Sequence, residues 1–193
     1  MGPQRKVAGK GAGKSRPGNS VRIIGGEYRS RILHFPDASG LRPTPDRVRE
    51  TLFNWLGQRL HGLACLDAFA GSGALGFEAA SRGAARVVML ERDGKVRDAL
   101  RHNAGLLQTR NVEILQMDAL AYLASAGELF DLIFLDPPFD LDLLAPALQS
   151  ASTRLRPGGK IYAESPTYLS PAGFAVFRQG RAGLSHFCLL EAL

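Results

Sequence analysis

Residues 64–91 read ACLDAFAGSGALGFEAASRGAARVVMLE. An apolar run ending in Asp67 gives way to a glycine-rich turn. A helix-forming segment follows, through GALGFEAASR to a stop at Gly83, and then a second apolar run ending in Glu91. Two strands joined through a helix run parallel, so this stretch is a βαβ unit. Gly71, Gly73 and Gly76 fit G-x-G-x-x-G, and Glu91 ends the next strand 20 residues after Gly71. Glycines let the backbone approach a ligand closely, and the helix N-terminus offers free N–H groups. The pattern predicts a nucleoside-containing ligand and fits NAD and S-adenosylmethionine alike.

The alternation continues downstream. DGKVRDALRHNAGLL (93–107) is a helix, NVEILQMD (111–118) a strand with a short helix after it, and FDLIFLD (130–136) a strand. LDLLAPALQSASTRL (141–155) is a helix, Arg156-Pro157-Gly158-Gly159 a turn and KIYAES (160–165) a strand. FAVFRQ (174–179) and SHFCLLEAL (185–193) have no helix between them, so they form a hairpin and the C-terminal strand runs antiparallel. The predicted fold is α/β: a Rossmann-like, doubly wound, mostly parallel seven-stranded sheet.

Upstream, SVRIIGGEYRSRILHF (20–35) reads as a β-hairpin with Gly25-Gly26 at or near its turn, giving an extension over residues 20–40 ahead of the main domain at 41–193. In LRPTPDRVRETLFNWLGQRL (41–60), Thr44 is the expected helix N-cap, Pro45 its first position and Asp46 part of its first turn. Val48, Leu52, Trp55, Leu56 and Leu60 form a buried stripe, with Trp55 a core position. Residues 1–19 hold five glycines, two prolines, five basic residues and no acid, the composition of a disordered basic tail.

The net charge of +6 is uneven. Residues 1–49 hold 11 Lys/Arg and three acids, whereas the remainder carries a slight negative excess, so the positive field comes from one end and suits a polyanionic partner. No apolar run approaches the roughly 18 residues that cross a bilayer, and no secretory signal is expected. Cys65 and Cys188 sit in apolar stretches, as small buried thiols, and suggest neither a disulfide framework nor a zinc site. A cytoplasmic protein is expected.

Carboxylates recur where the strands end. Asp67 precedes the glycine loop, where it would face a cationic group; S-adenosylmethionine offers an ammonium and a sulfonium, while a pyrophosphate would be repelled. Glu91 can accept from ribose hydroxyls, and Gln116-Met117-Asp118-Ala119 can meet an adenine edge unless Asp118 serves only as a helix N-cap. Asp136-Pro137-Pro138-Phe139 closes the apolar strand FDLIFL. Twin prolines fix the backbone and remove two N–H donors, leaving carbonyls, a carboxylate and an aromatic ring. That set suits an exocyclic –NH2 of an extruded base, donating to Asp136 and a backbone carbonyl while Phe139 stacks on the ring.

With these segments in this order, the chain resembles the class I S-adenosylmethionine-dependent methyltransferases with a D/N-P-P-Y/F/W motif. More narrowly it resembles the RsmD family of bacterial 16S rRNA guanine-N2 methyltransferases. VRIIGGEYRSRILHFP, GLRPTPDRVRETLFNWL, LDAFAGSGALGFEAASRGA and LIFLDPPF carry the resemblance over roughly residues 21–193. It implies catalysis by Asp136, Pro137, Pro138 and Phe139. It implies cofactor contacts from Asp67, Phe69, Gly71, Gly73, Glu91, Arg92, Asp118, Ala119 and Asp136. Arg22, Arg29, Arg31, Arg42, Thr44 and Arg47 are the implied RNA contacts, the segment around the first helix closing over cofactor and base. The implied partner is ribosomal RNA, naked or as an assembled or partly assembled small subunit, with no membrane and no metal. D-P-P-F serves adenine-N6 and cytosine-N4 methylation as well, and the glycine loop alone also fits a nicotinamide-dependent oxidoreductase. An RNA-binding factor that kept the fold without catalysis would lack a reason for Asp136.

Overall fold

The computed structural model describes residues 19–38, 41, 43–125, 127–139 and 142–193. The basic tail, apart from Asn19, and Arg42 lie outside the described residues. The main sheet has the strand order β5-β4-β3-β6-β7-β9-β8. β3 (Ala64–Asp67), β4 (Arg86–Leu90), β5 (Val112–Leu115), β6 (Phe130–Leu135) and β7 (Leu155–Ser165) run parallel. β8 (Phe174–Ala182) turns at Gly183, φ +63°, into β9 (Ser185–Ala192). A connection that short forces an antiparallel pair. β9 then inserts between β7 and β8, antiparallel to both.

α1 (Asp46–Trp55), α2 (Ala74–Ser81) and α3 (Gly94–Leu107) cover one face, and α4 (Ala119–Ala124) and α5 (Leu144–Ser152) the other. β3 leads into α2 on the first face and its neighbour β6 leads towards α5 on the second. Their carboxyl ends therefore flank a topological switch point, where open α/β sheets bind ligands. No helix among the described residues is long and apolar enough to cross a membrane. Cys65 and Cys188 are free and buried, each thiol pushed up to about 12 mainly by burial.

The N-terminal extension pairs β1 (Ser20–Arg22) with β2 (Ile32–His34). Its strands are short because the chain between them docks on α2 instead of extending the ladder: Glu27 N–H donates to the Ser81 carbonyl at 2.7 Å and Tyr28 N–H to Ser81 Oγ at 2.8 Å. Gly26, φ +78°, allows this approach, since a Cβ there would lie 1.8 Å from the Ser81 carbonyl oxygen.

Three local expectations are corrected. Thr44 does not cap α1; Pro45 holds that position without a side-chain bond, and Thr44 is buried with its hydroxyl turned to Asp136. Leu60 is buried but lies past the end of α1, beyond the turn at Leu56–Gly57. Arg156–Gly159 is no separate turn but a bulge within β7: Phe130 pairs with Leu155 and Leu132 already with Lys160. Gly158, φ +77°, accommodates the extra backbone.

Candidate active site

The strand ends place the carboxylates. Asp67 is buried beneath the glycine turn, where Oδ2 accepts the Gly76 N–H at 2.8 Å. Burial pushes its carboxyl up to about 7, against the Gly76 hydrogen bond and with help from the negative charge of Glu91. Gly71 (φ +49°) and Gly73 (φ +80°) give the turn its left-handed backbone. Gly76 instead serves packing: a Cβ there would meet Met89 at 2.9 Å. Glu91 braces the turn, accepting from Gly71 N–H at 3.1 Å and Asp93 N–H at 2.8 Å. Leu41 lies over Gly71, within 2.8 Å of where a Cβ would stand, so the chain entering α1 covers the glycine turn.

Phe69 is half-buried in this turn. Arg92 is exposed just past Glu91, its carbonyl accepting from Gln116 Nε2 at 3.3 Å. Asp118 caps α4, accepting from Ala121 N–H at 2.9 Å, and Ala119 is the buried first residue of that helix. The capping role weighed for Asp118 is therefore present.

Across the switch point, Asp67 is in register with Phe134, and Asp136 lies two residues beyond. Asp136 is half-buried and accepts from Thr44 Oγ1 at 3.3 Å. Its carboxyl is raised well above the usual range by burial first, then by the negative charges of Glu164 and Asp67, with the Thr44 hydrogen bond opposing. Pro137 is buried, Pro138 exposed, and Phe139 is 48% exposed. A cavity of about 790 Å³ opens beside this corner, walled by Pro137, Pro138 and Phe139, by α5 and by residues 164–174.

The proposed RNA contacts are spread out. Arg22 is exposed and stands 3.7 Å from Asp46. Arg47 is exposed on α1. Arg29 is exposed in the segment that docks at the C-terminal end of α2, and Arg31 donates to the Leu106 carbonyl at 2.9 Å, near the C-terminal end of α3. Those helix ends lie at the opposite edge of the sheet from Asp136. Arg49, two residues beyond Arg47, is wholly buried against Glu78, Asp46 and two backbone carbonyls.

The family model described as "Conserved hypothetical protein 95" matches residues 21–191. Ribosomal RNA small subunit methyltransferase D of Escherichia coli K12 is 43% identical over 171 residues, covering 84% of this chain and 85% of that one. The chain belongs to the RsmD family. It is thereby a member of a methyltransferase family. Among solved structures, the Escherichia coli protein yhhF superposes with a TM-score of 0.81 at 40% identity, over 90% of this chain and 98% of that one. The Thermus thermophilus 16S rRNA N2 methyltransferase RsmC, solved in complex with AdoMet and guanosine, superposes with a TM-score of 0.71 at 26% identity, over 90% of this chain and 50% of that one.

Two groups of this RsmD-family site escaped the sequence reading. Glu164 is the penultimate residue of β7, beside Asp136; a carboxylate near a fifth parallel strand end was the available signal, as KIYAES shows. The buried Arg49–Glu78–Arg82 cluster had no signal, because its members come from two helices and their charges suggest exposure.

Proposed function

We propose that this chain transfers a methyl group from S-adenosylmethionine to the exocyclic N2 of a guanine in 16S rRNA. The reading rests on one juxtaposition: the glycine turn and the Asp136 corner follow the carboxyl ends of the neighbouring strands β3 and β6, close enough for the Asp67 charge to act on Asp136. It is supported by the RsmD relatives and by the guanosine complex of the RsmC neighbour. A cytoplasmic site of action and the small ribosomal subunit as partner belong to the same proposal.

The turn fits S-adenosylmethionine. Glu91 holds its oxygens at the strand end where ribose hydroxyls would lie, and a cation nearby would favour the ionised form of Asp67, which burial disfavours. Gly71 and Gly73 give the turn the left-handed backbone it needs, and a Cβ at Gly73 would strike Phe77 and Leu100. S-adenosylmethionine supplies a methyl carbon whose bond to sulfur breaks, both electrons staying on sulfur, as the N2 lone pair forms the new C–N bond.

The chain's own part is positioning and charge. An aromatic amine is a weak nucleophile because its lone pair is delocalised into the ring. Hydrogen bonds from N2 to Asp136 and the Pro137 carbonyl favour a pyramidal nitrogen and offset the positive charge that develops there. Phe139 stacks on the extruded base, and Thr44 holds the Asp136 carboxyl in place. In its ionised form Asp136 can also accept the proton N2 releases and pass it to solvent. Orientation can lower the barrier by up to ~7–11 kcal/mol.

Asp136→Ala is expected to lower methyl transfer to undermodified small subunits by about 10²–10⁴-fold. Its S-adenosylmethionine affinity, measured by calorimetry, should stay within about threefold of the wild type. Retained activity in that variant overturns the scheme.

A further inference from the structure

We propose that Glu164 selects guanine, its carboxylate accepting from N1–H of the target base while Asp136 and the Pro137 carbonyl hold N2. The proposal deepens the guanine-N2 reading and rests on it.

Placement comes from register. Leu135 pairs with Ala163 in the parallel β6–β7 ladder, so Asp136 and Glu164 stand side by side one residue further on, on strands roughly 4.8 Å apart. They also share a face. Tyr162 packs against Phe134 and Phe187, and Phe134 against Phe53 of α1. Alternation along each strand then turns Asp136 and Glu164 to the α1 side, where Thr44 reaches Asp136.

The surroundings of Glu164 are those of an acceptor. It is 5% exposed, and among the described residues no Lys, Arg or His stands within ion-pair distance of it. Tyr162 Oη donates to Oε1 at 2.6 Å and Ser185 Oγ to Oε2 at 2.8 Å. Two hydroxyl donors orient the carboxylate and leave about two of its roughly four lone-pair sites open. A buried carboxylate without a cation is costly to keep, which marks the position as one with a task beyond packing.

Base chemistry makes that acceptor a filter. The Watson–Crick edge of guanine offers two adjacent donors, N1–H and the N2 amino group. Adenine and cytosine place a ring-nitrogen lone pair beside their amino group, which would face a carboxylate oxygen and be repelled. With N1–H on Glu164, both N2 hydrogens remain for Asp136 and the Pro137 carbonyl.

The test uses the full-length protein, labelled S-adenosylmethionine and small subunits lacking the modification. Wild-type enzyme first maps the methylated nucleotide; if that base is not guanine, the function proposed above falls. The nucleotide is then supplied as guanine or as 2-aminopurine, which keeps the N2 amino group and replaces N1–H with a lone pair. Wild type is expected to prefer guanine by at least about 100-fold in kcat/KM. Glu164→Gln presents one acceptor and one donor, so guanine should lose about 10²–10³-fold and the preference should narrow below about tenfold, with S-adenosylmethionine affinity unchanged. Equal use of the two bases by wild type overturns the proposal without any variant. So does a Glu164→Gln enzyme that keeps the preference or loses both substrates equally. If that variant does not fold, Glu164→Asp serves instead, expected to be slower but still selective for guanine.

Discussion

At the scale of single residues, Asp67 shows how a strand-end carboxylate acquires its properties. Its position was legible in the sequence; its burial, and the Gly76 N–H on its oxygen, were not. A carboxyl raised to about 7 keeps its proton in the native state between pH ~4 and 7, while the unfolded chain has released its own. The stability this contributes is full below pH ~4 and is lost as pH rises through 7. Asp67→Asn still accepts from Gly76, so chemical denaturation from pH 4 to 8 should show the variant with a flatter decline, the difference reaching up to about 4 kcal/mol. A parallel decline in both proteins would refute the burial argument. A cation bound at the turn favours the ionised form, so wild-type affinity for S-adenosylmethionine should strengthen through pH 7, and that of Asp67→Asn should not.

At the scale of elements, one buried charge ties the N-terminal extension to two helices. Glu78, inside α2, accepts from Ile24 N–H at 2.9 Å, Gly25 N–H at 2.8 Å, Arg49 at 3.1 Å and Arg82 at 2.9 Å. It thus joins the β1–β2 extension, α1 and α2, and through α1 the Thr44 that touches Asp136. Glu78→Gln leaves Arg82 buried without its counterion and Arg49 with only the part-exposed Asp46, and should cost about 3–5 kcal/mol. In hydrogen exchange, β1 and β2 should lose protection before β3 does; unchanged protection and melting would mean that the cluster carries no such load. The elements themselves were largely legible because helix and strand periods are local. Thr44 was misread for the same reason: its neighbours supply a capping pattern, and only the approach of β6 offers its hydroxyl a different partner.

At the scale of the whole molecule, charge is polarised between an N-terminal segment rich in arginine and lysine and a slightly acidic remainder. Deleting residues 1–18 removes five cations, and RNA-binding titrations at several salt concentrations should show a flatter log–log slope, by up to about 3.5 if all five meet phosphates of single-stranded RNA. An unchanged slope would assign the segment no electrostatic role. The sequence by itself determined the βα alternation, the glycine turn and the carboxylates at the strand ends, because each is written in neighbouring residues. Only the tertiary structure decided that Glu164 stands beside Asp136, that Thr44 serves Asp136 and that Arg49 is buried on Glu78. Those pairings depend on strand register and helix docking between segments up to 92 residues apart, which no local period encodes.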